Sequence, residues 1–289
     1  AGGMQWAYSE LFQNYSGAQV ASYLDYSLRQ SQRVGLYVNY SETHDNERLA
    51  AKGRAWSLLR NRLCALVSVS GGFGFTCGVE WLAPERVHVH SSRGLAWGAP
   101  DNIVGELSRL NRLLADHPCF WDGARLTRLS PPDSPVYALS RASADGLNQV
   151  LVLVNTDIEH PRSLALGGDI YQELGEPRLG LIRGEKVVVD CAGGAPAGFK
   201  LAPGACHCLA ASATPAGISG GEYRLARAQA AWAIQSLSQV MADENIGPCD
   251  WRELARRAAA EPRRLLTLFS HLDSALARQD LLAALDRAD

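Results

Sequence analysis

What this 289-residue chain lacks narrows its identity first. It has no apolar run long enough to cross a bilayer and no basic-then-apolar leader, so no membrane partner is expected. It has no excess of charge. A formal net charge of -2 at pH 7 offers no attractive field to nucleic acid. Internal repeats and low-complexity tracts are missing too, and the Ala/Arg/Leu-rich tail has the composition of helix. The seven cysteines are odd in number and scattered. Several sit in apolar surroundings, as in Arg62-Leu-Cys-Ala-Leu66, where a reduced, buried thiol is the usual state. Cys206-His-Cys208 is too tightly spaced for a zinc pair, and no second Cys/His pair lies at finger spacing. No metal or other cofactor is therefore expected. Such thiols point to a reducing, cytoplasmic compartment. What is present, 47% hydrophobic and 20% charged residues, suits a globular chain with ample core.

Three regions differ in pattern. The first alternates strand-like and helix-like segments: Met4 to Tyr8, a helix over Ala18 to Ser31, and a strand over Leu36 to Tyr40. A helix over Arg54 to Val69, a strand over Gly71 to Cys77 and a helix over Asn102 to His117 follow. This alternation predicts parallel strands covered by helices. From Arg125 to Ser212 short strands alternate with turns such as Ser130-Pro-Pro-Asp-Ser134 and Ala144-Asp-Gly146, including one at Lys186 to Val189. That pattern predicts an antiparallel sandwich. After Thr214-Pro-Ala-Gly217 the signals turn helical, over Glu222 to Ala242, Asp250 to Ala260 and Glu261 to Asp289. Pro262 suits a helix start. Trp232, Ile234, Leu237, Leu265, Leu268 and Leu272 suggest one buried face in this tail.

The densest chemistry lies in Gly35-Leu-Tyr-Val-Asn-Tyr-Ser-Glu-Thr-His-Asp-Asn-Glu-Arg-Leu49. A strand ends abruptly in Glu42, His44, Asp45, Asn46 and Arg48, and a helix-compatible stretch follows. In a parallel α/β barrel the C-terminal ends of strands face the substrate. Thr43-His44-Asp45-Asn46 resembles the last catalytic signature of the alpha-amylase superfamily (glycoside hydrolase family 13). Gly71-Gly-Phe-Gly-Phe-Thr-Cys-Gly-Val-Glu80 resembles that family's eighth strand. Leu110-Asn-Arg-Leu113 with His117-Pro-Cys-Phe120, and Gln149-Val-Leu-Val-Leu-Val-Asn155, are similar to its closing helix and to its following all-β domain. Met4-Gln-Trp-Ala-Tyr-Ser-Glu-Leu-Phe-Gln-Asn-Tyr15 falls at the sixth strand. It looks most like the maltosyltransferase and debranching-type members that act on glycogen-like glucans.

The resemblance implies an α/β plus all-β fold: strands six to eight of a (β/α)8 barrel over residues 1–120, a β-sandwich over 121–214 and a helical extension over 215–289. It implies a retaining enzyme of starch, glycogen or maltooligosaccharide metabolism. Asp45 would be the third, sugar-binding carboxylate, and His44 would bind a hydroxyl of the reacting ring. Asn46 and Arg48 would bind substrate, or would cap and anchor the next helix. Glu42 would face the site or pair with Arg48, and Glu80 would fix a loop. The family's nucleophilic aspartate and acidic glutamate have no counterpart here, and Glu10 stands too close in sequence to Asp45 to supply the acid. The chain alone is therefore expected to be inactive, with the remaining barrel strands supplied by the parent protein or by another chain. A non-catalytic carbohydrate-binding or scaffolding protein is the competing expectation. Trp6, Tyr8, Trp81 and Trp97 would stack on sugar rings or pack in cores in either case. Val87-His-Val-His90 reads as a rim loop.

Overall fold

The computed structural model describes residues 6–33, 35–88, 90–91, 93–190 and 196–289. Met4, Gln5, Val89 and Cys191, which belong to features read above, lie outside the described residues. The chain divides into two compact units, Ala1–Gly217 and Ile218–Asp289.

The first unit opens with parallel strands β1 (Trp6–Ser9), β2 (Leu36–Tyr40) and β3 (Phe73–Gly74), hydrogen-bonded in chain order. Helix α1 (Gly17–Arg33) crosses from β1 to β2, and α2 (Arg54–Leu66) from β2 to β3. Parallel neighbours need such crossovers because a short hairpin cannot join them. Helix α1 buries Val20, Ala21 and Leu24, while α2 is buried nearly all round, its polar Arg60, Asn61 and Arg62 included. Strand β3 is shorter than the sequence suggests. From Thr76 onward the backbone enters consecutive tight turns, with Val79 N–H donating to the Thr76 carbonyl and Trp81 N–H to that of Gly78. The loop ends at α3 (Val104–Asp116), which buries Leu107, Leu110, Leu113 and Leu114.

The remainder of this unit is β4 (Arg125–Arg128), β5 (Val136–Ala142), β6 (Gln149–Asn155), β7 (Arg162–Leu166), α4 (Gly168–Glu173), β8 (Leu179–Gly180), β9 (Ala197–Leu201) and β10 (Cys206–Ala210). Five of these strands form an antiparallel sheet in the order β4-β5-β6-β10-β8, and β7 pairs with β9 in a separate ribbon. At the centre of the sheet, β6 is buried on both faces. Val150, Val152 and Val154 join the core that holds α1 and α2, while Leu151 and Leu153 pack with Leu164, Leu166 and Phe199 of the ribbon. Such a strand is apolar at every position rather than at alternate ones, which is how β6 reads. The expected strand at Lys186 to Val189 amounts to isolated bridges, Leu179 to Lys186 and Asp190 to Gly198.

The second unit is helical: α5 (Gly220–Leu237), α6 (Trp251–Ala260), α7 (Pro262–Phe269), α8 (Ser274–Gln279) and α9 (Leu281–Ala288). Asp250, Asp273 and Asp280 accept N–H bonds at the starts of α6, α8 and α9, and Pro262 opens α7. Its apolar face buries against its own helices, in a core that includes Leu237, Leu254, Leu265, Phe269 and Leu285. Trp232, expected on that face, is exposed instead. Among the described residues no helix is long and apolar enough to cross a membrane.

Candidate active site

A polar brace ties the C-terminal ends of β1 and β2 to each other and to α2. Ser9 at the end of β1 donates to Asn39 Oδ1 on β2 at 2.7 Å, and Ser41 donates to Asn61 Oδ1 on α2 at 2.9 Å. All four residues are buried, so each bond replaces one otherwise lost to water.

Immediately after β2 the chain makes an arch whose foot is buried and whose crown is wet. At the foot, Arg48 Nε lies 2.6 Å from Glu42 Oε1, with both side chains almost wholly buried. The other Glu42 oxygen accepts the Leu49 N–H at 2.7 Å. Burial pushes the Glu42 carboxyl above its ordinary range, while the Leu49 N–H and the Arg48 guanidinium pull the other way. Arg48 also donates to the carbonyls of Cys77 at 2.9 Å, Gly94 at 3.3 Å and Glu85 at 3.4 Å. The arch is thereby bolted to the loop that follows β3. Thr43 hydroxyl donates to Asn46 Oδ1 across the arch. His44 and Asp45 occupy the crown, 52% and 82% exposed, with His44 Nε2 3.3 Å from Asp45 Oδ1.

The crown opens on a cavity of about 420 Å³ lined by Tyr8, Phe12, Gln13, Tyr40, Thr43, His44, Asp45, Asn46 and Thr76. Tyr8 and Tyr40 of this lining meet edge-to-face, with ring centroids 5.7 Å apart. Clefts at the carboxyl ends of parallel strands are where ligands of α/β proteins bind, because loops there diverge from a rigid sheet.

The structure brings His44, Asp45 and Asn46 together at this cavity. Arg48 stands apart. Its guanidinium is committed to Glu42 and three carbonyls and does not line the cavity, an arrangement that suits the anchoring role the sequence left open beside substrate binding. Neither Asn46 nor Arg48 caps a helix through its side chain: α2 begins after Gly53, without a side-chain cap bond. Glu42 pairs with Arg48 rather than facing the cavity, and Glu10 does not line it. Glu80 accepts the Gly78 N–H at 3.0 Å and so fixes the loop. Phe12, Gln13, Tyr40 and Thr76 were not legible as site residues. Their signal was positional: each lies at or just past the end of a parallel strand.

No family model and no curated protein sequence matches the chain. Among solved structures it is similar to the maltogenic alpha-amylase AmyB from Thermotoga neapolitana, at 16% identity and a TM-score of 0.55, over 71% of this chain and 50% of that one. It is also similar to a gamma-CGTase from Alkalophilic bacillus clarkii, at 14% identity and a TM-score of 0.49, over 69% and 30% of the two chains. A third likeness is to a MutB mutant solved in complex with glucose, at 16% identity and a TM-score of 0.46, over 67% and 46%. The chain spans about half the length of AmyB, and the likeness to AmyB is one of fold.

Proposed function

We propose that this chain is the closing part of a retaining alpha-amylase-type enzyme acting on α-linked glucans, and that the cavity at Asp45 holds one sugar ring. One observation carries the reading: the exposed His44-Asp45 pair shares with two tyrosines a cavity at the carboxyl ends of parallel strands. A carboxylate is a double acceptor suited to vicinal sugar hydroxyls, and an aromatic ring suits the apolar C–H face of a pyranose. Asp45 would bind two hydroxyls and place negative charge beside an oxocarbenium-like transition state, where fixed charge is worth most. His44 would donate a bond to a hydroxyl of the same ring. The fold shared with half of a maltogenic amylase supports this substrate class. It also supports a complete catalytic unit in which further strands, from the parent protein or another chain, extend the three-stranded sheet.

Titration of the 289-residue chain with maltoheptaose, followed by calorimetry, tests the reading. Binding that is lost or weakened about tenfold or more in Asp45→Asn supports it. Binding indifferent to Asp45→Asn and His44→Ala contradicts it.

A further inference from the structure

We propose that Trp97, backed by Trp81, is an auxiliary binding platform for a glucose-type pyranose ring, separate from the Asp45 cavity. The inference rests on the glucan reading of that cavity for its choice of sugar, though not for its geometry. The loop that bears both tryptophans leaves the cavity at Thr76, so the platform is carried by the same end of the sheet.

Trp97 is 78% exposed, a large cost in apolar hydration for a residue with no evident packing duty. Its ring lies 5.9 Å from that of Trp81, tilted by 47°, so Trp81 supports one side and leaves the other open. The backbone holds it out deliberately. Ala96 and Gly98 on either side have φ of +48° and +75°, and the turn closes with the Ala99 N–H on the Ala96 carbonyl at 3.0 Å. A non-glycine residue in the left-handed region is uncommon and persists where the surroundings dictate it. Asn102 braces the far end of this turn by donating to the carbonyls of Ala99 at 3.0 Å and Pro100 at 3.2 Å. Trp81 stands on a second braced turn, where Arg48 grips the Cys77 carbonyl and the Ile103 N–H donates to that of Glu80. A platform fixed in advance loses little conformational entropy on binding.

Size and surroundings select a sugar over a protein. A stable protein partner covers roughly 800 Å² of each surface. Two indoles offer much less, and Glu85, Arg86, Ser91, Arg93 and Asp101 on the same stretch of chain are exposed and polar or charged. One or two apolar ring faces on a loop rich in exposed hydrogen-bonding groups match a pyranose, which is apolar on its faces and polar at its rim.

The full chain and its variants are run in native gels containing glycogen and titrated with maltoheptaose by fluorescence. Folding is checked by circular dichroism and urea midpoint, and oligomeric state by light scattering. Trp97→Ala is expected to keep its fold and monomer mass while its retardation by glycogen falls about fivefold, with Trp97→Phe intermediate. Asp45→Asn is expected to retain the Trp97-dependent part. Retardation unchanged in Trp97→Ala overturns the platform, and loss of binding in Asp45→Asn in the same experiment leaves the cavity reading standing. Loss in Trp97→Ala with none in Asp45→Asn supports the platform and rejects the cavity. A wild-type dimer that Trp97→Ala converts to monomer overturns the platform, as does absence of any retardation of the wild type.

Discussion

The catalytic-looking residues of this chain are exposed, and the residues that make them useful are buried. His44 and Asp45 stand on an arch whose geometry is set by Glu42 and Arg48, a pair at 2.6 Å with almost no contact with water. Removing one partner of such a pair strands the other as a buried, uncompensated charge, which costs on the order of 3–5 kcal/mol. Arg48→Met and Glu42→Gln are each expected to lower stability by about that much in urea unfolding, and the double variant by less than the sum. Gly78 belongs to the same unit: at φ +93° a Cβ there would sit 2.8 Å from the Leu95 carbonyl oxygen and 3.1 Å from the Arg48 guanidinium. The His-Asp pair was legible because its position after a strand is a matter of order along the chain. The role of Arg48 was not, since the Glu42-to-Arg48 spacing is equally that of two cavity residues, and only burial distinguishes them. His117 is a second buried group with a measurable consequence. Burial and the nearby Arg141 charge hold its imidazole at about 4 against an ordinary 6.5, and its Nδ1 accepts the Cys119 N–H. Between those values the unfolded chain binds a proton that the folded chain refuses, so stability falls as pH drops from about 6.5 to about 4. His117→Asn, which keeps an acceptor, is expected to remove that slope, on the order of 3 kcal/mol at most, in urea midpoints compared at pH 7 and pH 4.5.

Elements were read more accurately than their pairing. The helices α1, α2 and α3 declare themselves through apolar spacing, and β6 through an unbroken run of valine and leucine. The same run hid the environment of the sheet. A sandwich with one wet face predicts alternation, whereas β6 has cores on both sides. Arg141 on β5 shows how the two layers are tied: fully buried, it donates to the Leu66 carbonyl at 3.0 Å and the Ser68 carbonyl at 2.6 Å, at and just past the end of α2, and to that of Cys119 at 2.9 Å. A polar residue in a strand gave no hint of that. The short β3 matters to the site through Gly74, where a Cβ would fall 2.4 Å from the Tyr40 ring. Gly74→Ala is expected to swing Tyr40 off Tyr8, shift its aromatic NMR resonances, weaken maltoheptaose binding and cost about 1–3 kcal/mol of stability. Unmoved Tyr40 resonances would show that the two residues are not in contact.

At the scale of the molecule, the parallel sheet holds three strands among the described residues. Among the described residues the outer edges of β1 and β3 carry no hydrogen-bonded strand, and Trp6 and Tyr8 on β1 are exposed at 52% and 55%. Exposed edges and aromatics of this kind invite further strands. The cavity carries one carboxylate among its described lining residues, Asp45, whereas retaining cleavage uses two carboxyl groups roughly 5 Å apart. The chain is therefore expected to bind maltooligosaccharides without turning them over; release of reducing ends from maltoheptaose above a buffer control would refute that. Order along the chain conveyed the alternation of strands and helices, but no local pattern could state which strands pair, since pairing joins residues far apart in sequence. The most direct test is a crystal structure of the chain soaked with maltoheptaose. The account predicts a glucose ring over Tyr8 and Tyr40 with two hydroxyls hydrogen-bonded to Asp45, and a ring bound elsewhere while this cavity stays empty would contradict it.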